Sequence, residues 1–326
     1  MLIYIIIILT ICLLLFLVCN YSYKKTNDYL NSQLDIRGFM DGIQDGLRLV
    51  NTGSTYSKFA FSYLKGNNFK YADFSLRSQS LEMDLAVLRR YVCHIAKGGV
   101  VVVVVAPCLL LFREEGRNLQ YYSILKSSEN PQFHKKDYLK SRFPLAVNPK
   151  KILRLLVDQK EIKSIYETCP NQISKQESEA ELDNLCNVWR RLFNIKDFVK
   201  VQLSEENKKN IERNKNILAD ILYLCKSREL IPVVVVPPFS ERLNKYFSHE
   251  FTELVLEKNI REITEKWNVP YLNYQFDEQF QNLPELFADG GFRLNRRGSR
   301  IFVDRLCRDL FQYGIKIDNH GLGWSK

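Results

Sequence analysis

Two short segments of the chain carry side chains of the kinds that hydrolases and transferases use. The first reads Asn-Thr-Gly-Ser-Thr over residues 51–55, a glycine followed by the hydroxyl side chains of Ser54 and Thr55. In a strand-to-helix turn, the field of the helix N-terminus favours a nucleophile at such a position. Serine and threonine are also common helix N-caps, so the same pattern fits a purely structural turn.

The second segment, residues 287–299, places Asp289 in a glycine-containing turn and continues through Leu294 and Asn295 into a basic helix start. A phosphate group or an acidic polymer is one partner for such a basic cluster, and a solvated helix face is the ordinary alternative. The arginines of the cluster are Arg293, Arg296, Arg297 and Arg300.

Two continuous runs of β-branched residues predict the centre of a sheet that would position these segments. They are Val100–Ala106 (VVVVVVA) and Ile231–Val236 (IPVVVV). Runs without polar alternation are typical of parallel strands that helices cover on both faces. A helical pattern that ends in a turn precedes each run. This order of helix, turn and strand is typical of βαβ units.

Shorter patterns complete the α/β prediction. The further strands expected are Leu47–Asn51, Lys70–Phe74 and Val269–Tyr274, and the helices expected are Leu81–Ala96 closing on Lys97-Gly98-Gly99, Lys208–Lys226, Phe251–Trp267 and Arg297–Tyr313. In an open parallel sheet, ligands bind beyond the carboxyl ends of the strands. This rule directs attention to residues 51–55, 106–108 and 237–240, of which the last two contain prolines that fit a structural role.

Residues 112–205 form an over-long connection between the third and fourth predicted strands. A crossover needs only about a dozen residues, so most of this segment is predicted to be a lid, a subdomain or a partner-binding surface. Helical periodicity in Lys151–Tyr166 and Glu179–Phe193 indicates a helical insertion. The expected organisation is an anchor with its flank at residues 1–25 and an α/β domain at residues 26–326 that contains the insertion.

An uncharged apolar segment, Leu2–Cys19, opens the chain. As a helix its eighteen residues span roughly 27 Å, just enough to cross a bilayer. The apolar region of a cleaved signal peptide is usually shorter, about 7–15 residues, and no small-x-small cleavage pattern follows before Lys24 and Lys25. We therefore predict an uncleaved signal anchor and a single-pass membrane protein.

The flanking charges and the cysteines leave the side of the membrane open. Taken alone, Lys24 and Lys25 would keep the body cytoplasmic under the positive-inside rule. The six cysteines of the body permit three disulfides, yet four of them lie in apolar runs where buried free thiols are expected. These four are Cys93, Cys108, Cys225 and Cys307. Their spacing does not match a zinc site, and we expect neither a metal ion nor a cofactor.

The composition excludes disorder for most of the chain and favours an anionic partner. Apolar residues make up 46% and aromatic residues 12%, enough to bury a sizeable core. The chain has 47 Lys and Arg against 37 Asp and Glu, a net charge of +10, which suits nucleic acid, anionic lipid or a teichoic acid-like polymer. Nucleic acid is not expected, because the sequence contains no helix-turn-helix, zinc-finger or RNP-like motif.

Taken together, the two segments are similar to the motifs of a known superfamily. A Gly-Ser-Ser/Thr turn after the first strand, with Asp-x-x-His-Leu-Asn-x-x-Gly before the final helix, resembles the SGNH (GDSL-like) hydrolases. The likeness extends to membrane-anchored bacterial members that modify cell-surface polymers, relatives of the D-alanyl-lipoteichoic acid transfer protein DltD and the alginate acetylation proteins. It covers roughly residues 45–110 and 208–313 and leaves the insertion unmatched.

The resemblance implies a fold and a set of site residues. The fold is a three-layer α/β/α arrangement around a parallel sheet of about five strands, with a helical insertion and one preceding transmembrane helix. The nucleophile position of the family falls on Thr55, with Ser54 one place early. The site residues implied are Thr55, Ser54 and Asp289 for catalysis, and Gly53, Gln79, Arg293 and Asn295 for the oxyanion hole or for substrate binding.

The chain departs from the family pattern at the general base. Where the motif has histidine, this chain has Phe292 and Arg293, and neither side chain accepts a proton at neutral pH. A threonine nucleophile without such a base loses most of its activation. The histidines of the chain lie elsewhere in the sequence, at His94, His134, His249 and His320.

Two functional hypotheses follow from this departure. In the first, the chain is a membrane-anchored esterase or acyltransferase accessory of the cell envelope that uses Thr55 or Ser54 with an unidentified base. In the second, it is a catalytically silent interaction or scaffold subunit that pairs with a membrane acyltransferase or polymer-export system through Leu2–Cys19 and the insertion. An anionic glycan or polymer is a further expected partner. The resemblance places the body outside the cytoplasm, and a cytoplasmic-facing body is the alternative.

Overall fold

The structure, a computed structural model, describes residues 1–65, 69–113, 118–157, 175–200, 202–289 and 291–317. Five parallel strands form one sheet in the order β2-β1-β3-β4-β5, which confirms the predicted α/β class and strand number. The strands are β1 (Leu47–Thr52), β2 (Tyr71–Asp73), β3 (Ile95–Val104), β4 (Ile231–Val236) and β5 (Tyr271–Asn273).

Helices precede, separate and follow the strands. The α-helices are α1 (Leu2–Tyr23), α2 (Asn27–Ser32), α3 (Leu34–Asp41), α4 (Thr55–Ala60), α5 (Leu81–Tyr91), α6 (Tyr121–Ile124), α7 (Lys135–Arg142), α8 (Pro144–Val147), α9 (Lys175–Leu192), α10 (Glu205–Ser227), α11 (Glu241–Asn244), α12 (His249–Thr252), α13 (Lys258–Trp267), α14 (Glu278–Gln281) and α15 (Arg296–Gln312). Short 3₁₀ helices occupy Ser62–Leu64, Val92–His94, Leu109–Leu111, Pro149–Leu155 and Pro284–Leu286.

Three predicted element boundaries are wrong. The helix expected to reach Ala96 ends at Tyr91, and β3 already begins at Ile95, so Lys97-Gly98-Gly99 lies inside the strand rather than in a turn before it. Ile95 pairs with Leu47 and Val100 pairs with Leu49, so a β-bulge absorbs the intervening residues. The helix expected over Phe251–Trp267 is interrupted by a π-helical turn, Glu253–Glu257.

The helical prediction for Lys151–Tyr166 is only partly addressed by the structure. Its first residues belong to the 3₁₀ helix Pro149–Leu155, and residues 158–166 lie outside the described part of the chain. The helix predicted over Glu179–Phe193 is confirmed as α9.

The central strands are buried on both faces, as their sequence predicts. Alternate residues of β1, β3 and β4 pack in one cluster with Phe302, Val303, Leu306 and Leu310 of α15. Because successive strand residues point to opposite faces, fully buried Val101, Val103 and Val234 face the other way. On that side α10 packs against α5, α13 and β4. The result is a three-layer α/β/α architecture.

Gly298 allows α15 to approach the preceding 3₁₀ helix. A Cβ atom at this position would collide with the carbonyl group of Leu286, which is backbone and cannot swing away. The neighbouring Ser299 is fully buried and donates a hydrogen bond to the carbonyl oxygen of Ala60 at 2.8 Å. Close packing therefore explains why the Leu-Asn-x-x-Gly sequence ends in glycine.

The chain divides into two compact units. One unit consists of residues 1–40 with 116–165, and the other consists of residues 41–115 with 166–326. The first part of the insertion thus belongs with the N-terminal helices, whereas α9, in its later part, belongs with the sheet.

Helix α1 is long and apolar enough to cross a membrane, and its apolar stretch is exposed along the helix. Its C-terminal end, by contrast, is packed within the first unit. Asn20 is 5% exposed and its amide donates to the carbonyl oxygen of Arg142 at 3.1 Å. Tyr23 is fully buried and its hydroxyl donates to Asp28 at 2.8 Å. The last turn of α1 is therefore part of a folded unit.

Gly298→Ala should lower the stability of the sheet-containing unit by about 1–3 kcal/mol, because the added methyl group meets backbone at Leu286. The measurement is the thermal unfolding midpoint of the full chain in detergent. Arg297→Ala, one residue earlier on the exposed side of α15, is the matched control and should leave the midpoint nearly unchanged. Equal midpoints for the two variants would contradict the packing role of Gly298.

Candidate functional site

The turn after β1 lies at the point where the strand order reverses. Strand β1 pairs with β2 on one side and with β3 on the other, and this switch point is where open parallel sheets form ligand crevices. Gly53 has a φ of +117°, and a Cβ atom there would lie 3.0 Å from the carbonyl oxygen of Val104 in β3. A side chain is thus excluded both by conformation and by the neighbouring strand.

The buried carboxyl group of Asp84 accepts a hydrogen bond from the backbone of this turn. The amide N–H of Gly53 donates to Oδ1 of Asp84 at 2.8 Å. The side-chain amide of Gln79 donates to the same oxygen and also to the carbonyl oxygen of Phe74 at 2.9 Å. Gln79 and Asp84 are both fully buried. The side-chain N–H groups of Gln79, the residue that the family resemblance implies for the oxyanion hole, are therefore engaged by Phe74 and Asp84 inside the protein.

Asp84 has an unusual protonation equilibrium. Burial raises its pKa from 3.8 to about 7, although the hydrogen bonds from Gln79 and Gly53 act in the opposite direction. Among the described residues, no hydrogen-bond partner reaches its second oxygen, Oδ2, or the buried Oε1 of Gln79. An uncompensated buried carboxylate is costly, so the neutral acid is favoured up to neutral pH.

A second buried network fixes α4 to the sheet. The Asn51 amide donates to Ser57 of α4 at 2.7 Å and to Asp73 of β2 at 2.8 Å, and Asn51 accepts a hydrogen bond from Tyr71 at 2.6 Å. Lys65 forms an ion pair with Asp73 at 2.5 Å. Burial acts to raise the pKa of Asp73, but the neighbouring lysines and hydrogen bonds hold it below its usual value. This buried network therefore fixes the position of the turn between β1 and α4.

The two candidate nucleophiles stand at the start of α4. Ser54 is the N-cap residue, 8% exposed, but its side chain makes no capping hydrogen bond. Thr55 is the first helical residue and is half-buried. Burial, and then the nearby Cys108, raise the pKa of the following Tyr56, so its phenol stays protonated and cannot act as a base.

The described histidines are engaged away from this turn. His94 contacts Asp45 at 2.7 Å and lies at the amino end of β3. Gly53 lies at the carboxyl end of β1, which is the opposite end of the parallel strands. The His249 ring lies against Phe276, which follows β5. Strand β5 is three strands from β1, about 14 Å at the usual spacing. His134 belongs to the other compact unit, and His320 lies outside the described residues.

The carboxyl group of Asp289 organises its own turn. Its Oδ1 atom accepts hydrogen bonds from the backbone N–H groups of Gly291, Phe292 and Arg293 at 2.9, 3.0 and 3.0 Å. Its Oδ2 atom lies 3.3 Å from Nε of Arg293. Both oxygens are thus directed to the residues of the turn. An orienting residue of a catalytic triad would instead direct one oxygen to an imidazole.

Arg293 and Asn295 also have structural partners. The Arg293 guanidinium lies 3.7 Å from Glu181 of α9 and over the rings of Phe59 and Phe292. Asn295 is the N-cap of α15, and its side chain accepts from the N–H of Gly298 at 2.9 Å. These contacts bring the two sequence motifs together, because Phe59 belongs to α4 and Arg293 to the later turn.

An aromatic cluster lies where the two motifs meet. The Tyr56 ring has its centroid 5.3 Å from that of Phe292, 6.0 Å from Phe239 and 6.4 Å from Trp189. Phe239, Phe292 and Trp189 are at most 8% exposed. Tyr56 and Phe292 lie within the two sequence motifs, so the sequence draws attention to their surroundings. Trp189 lies in the insertion, which no motif marks. We call Tyr56, Trp189, Phe239 and Phe292 the aromatic plug.

Buried thiols border the plug but are poor nucleophiles. Burial raises the pKa of Cys108 well above its usual value and that of Cys186 to about 11. Both therefore remain thiols at neutral pH. The described cysteines are all unpaired, while Cys169 lies outside the described residues. In the described part of the chain, no three His, Cys, Asp or Glu side chains gather as a metal site would require.

Comparison of the chain with models of protein families, and with curated proteins, finds no match.

Asp84→Asn should abolish a pH dependence of stability. The native chain retains a proton on Asp84 up to about pH 7, whereas the unfolded chain releases it near 3.8. The free energy of unfolding of the unmodified chain therefore falls as pH rises between these values, by an amount on the order of a few kcal/mol, and levels off above them. Thermal unfolding of both chains across this range measures the difference.

The exposed Glu278 provides the matched control. Glu278→Gln removes a carboxylate of similar chemistry from the surface, and its unfolding midpoint should follow that of the unmodified chain at every pH. A constant offset between Asp84→Asn and the unmodified chain at all pH values would show that Asp84 is ionised in the native state.

Proposed function

We propose that this chain is a membrane-anchored, SGNH-like protein of the cell envelope that acts without catalysis, as an interaction or scaffold subunit. Its partner class is a membrane acyltransferase or polymer-export system that handles an anionic glycan or polymer. The body faces outward from the cytoplasm in this proposal, as it does in the membrane-anchored members that the sequence resembles.

The aromatic plug carries the proposal. A hydrolase needs space at the carboxyl ends of β1 and β3 for an ester, a nucleophile and a base. Here Phe292 and Tyr56 pack against each other at that edge, and Trp189 and Phe239 pack onto them. Arg293, one of the two candidate positions for the motif histidine, forms ion pairs with Asp289 and Glu181. These contacts stabilise a closed end of the sheet rather than a reaction centre.

Preservation of the fold supports a retained, non-catalytic role. The strand order keeps the switch point, and Gly53 and Gly298 keep the close backbone approaches that the two motifs need. The positions that would carry chemistry have changed instead, to Thr55, Phe292 and Arg293. A scaffold requires the strand order and the close backbone approaches, but it does not require a nucleophile or a base.

The packing of α1 supports an anchor that is retained. Cleavage after Cys19 would remove Phe16, whose ring packs against that of Phe143 in the first unit with the centroids 6.0 Å apart. It would also cut α1 directly before the buried residue Asn20. In the proposal, α1 crosses the membrane once and the body is held at its surface.

The alternative function is ester transfer or hydrolysis with Thr55 or Ser54 as nucleophile. It is favoured by the location of this turn, which follows β1 at the switch point of the sheet. It requires a base that the described residues do not present at the turn.

Fluorophosphonate labelling of the full chain in detergent tests the absence of an activated hydroxyl. We expect no more labelling of the unmodified chain than of Thr55→Ala or Ser54→Ala, because among the described residues no base reaches either hydroxyl to take its proton. A known serine hydrolase in the same detergent serves as the positive control, and circular dichroism verifies the fold of each variant. Labelling that disappears in either alanine variant would overturn the non-catalytic proposal.

Intact-mass measurement of the chain purified from membranes tests the anchor. We expect the mature mass to include Leu2–Tyr23, since the end of this helix is folded into the first unit. Asn20→Ala serves to check the packing argument, because it should lower the unfolding midpoint without changing the residue at which the mature chain begins. A mature chain that begins after Cys19 would contradict the retained anchor.

A further inference from the structure

The end of α1 is joined to a segment of the first unit that we call the interfacial segment, residues 143–157. The ring centroids of Phe16 and Phe143 are 6.0 Å apart. Asn20 donates to the carbonyl oxygen of Arg142 at 3.1 Å and accepts from the N–H of Leu145 at 3.4 Å. The beginning of this segment therefore lies beside the last two turns of α1.

This contact fixes the depth of the segment when α1 crosses a bilayer. Phe16 precedes Cys19, the last residue of the apolar run, by three residues, or about 4.5 Å along the helix. Phe143 is thus held at the level where the hydrocarbon gives way to the headgroups. Tyr21 follows on the exposed surface of α1, as expected for an aromatic residue at a membrane interface.

The interfacial segment exposes a concentrated set of large apolar side chains. Leu156 is 82% exposed and Leu153 is 63% exposed. Single exposed apolar residues are ordinary, but a group of them within a few residues marks a surface that something covers. The members of the group are Val147, Ile152, Leu153, Leu156 and Val157.

Cations lie at the start of the interfacial segment and within it. Arg142 lies over the ring of Tyr138, and Lys25 lies over that of Tyr21. Partial burial, and then the nearby Arg142, lower the pKa of Lys24. Lys24 and Arg142 therefore lie close enough to repel each other. Lys150 is exposed within the segment itself. An exposed apolar group flanked by cations is the pattern of segments that lie in the interface of an anionic bilayer.

We propose that the interfacial segment inserts into the membrane leaflet from which α1 emerges. Its apolar side chains reach the acyl boundary, and Lys24, Arg142 and Lys150 contact the phosphates of anionic phospholipids. The first unit is then held against the bilayer by two contacts, the span and this segment. The proposal rests on α1 as a membrane span, which belongs to the proposed function.

Lipid quenching of the full chain in nanodiscs tests the insertion. A fluorescent coumarin amino acid replaces Leu156, and the nanodiscs contain phospholipid with a doxyl quencher near the headgroup. Phe311, an apolar residue of α15 that is 62% exposed, is the matched exposed position. Leu9 lies about 15 Å along α1 from Cys19, so it reports insertion of the span itself in separate nanodiscs whose doxyl group lies near the bilayer centre. We expect quenching at position 156 to exceed that at position 311 by at least about twofold.

The charge argument has its own arm. Quenching at position 156 should increase when phosphatidylglycerol replaces half of the phosphatidylcholine, and the double variant Arg142→Gln, Lys150→Gln should lose that increase. Leu153→Asp should reduce quenching in both lipids while leaving circular dichroism unchanged, because its side chain is exposed.

Each outcome decides between the possible occupants of the surface. Equal quenching at positions 156 and 311, with Leu9 quenched, overturns the insertion and leaves the span intact. Absence of quenching at position 9 refutes the span and thereby the anchored function. If position 156 is shielded from aqueous iodide but is not quenched by doxyl lipid, protein rather than lipid covers the segment and the lipid assignment is wrong.

Discussion

The hydrogen bond between the Gly53 N–H and the buried carboxyl of Asp84 is the constraint on which the structure at the carboxyl ends of the strands depends. Through Asp84 it joins the turn after β1 to the start of α5, and through Gln79 it reaches the segment after β2. Gly53 must also pass within contact of Val104. A turn held in this way directs α4, and with it Tyr56 and Phe59, toward the residues that follow Asp289.

The same arrangement explains why the candidate site is closed. Once α4 is fixed, Tyr56 meets Phe292 and Phe59 meets Arg293. The Asp289 carboxyl then satisfies the backbone of its own turn and the Arg293 side chain. The two sequence motifs are therefore brought together, while the side chains between them pack as a core does. Function on this fold is determined by such side chains and not by the sheet.

The sequence predicted the sheet well because strands buried on both faces are written as unbroken apolar runs, as in Val100–Ala106 and Ile231–Val236. It missed the bulge at Lys97-Gly98-Gly99, since glycines in a strand look like a turn. It also missed the π-helical interruption at Glu253–Glu257, which leaves the apolar periodicity nearly intact.

The candidate site was predictable only where the motifs are local. Ser54, Thr55 and Asp289 could be located from their spacing, but their partners could not. Trp189 joins Phe292 from a distant part of the chain, and Asp84 is an acidic residue within an amphipathic helix that gives no sign of its contact with Gly53. Contacts of this kind depend on the fold of the whole unit.

The edges of the sheet limit how another protein can bind to this one. Strands β2 and β5 are three residues each, and they flank the longer central strands. Short edges offer few unpaired backbone groups, which protects a sheet against edge-to-edge aggregation. They also give little purchase to an incoming strand, so recognition by β-augmentation is disfavoured. Helices and loops are therefore the surfaces suited to recognition, and their side chains can vary while the sheet stays constant.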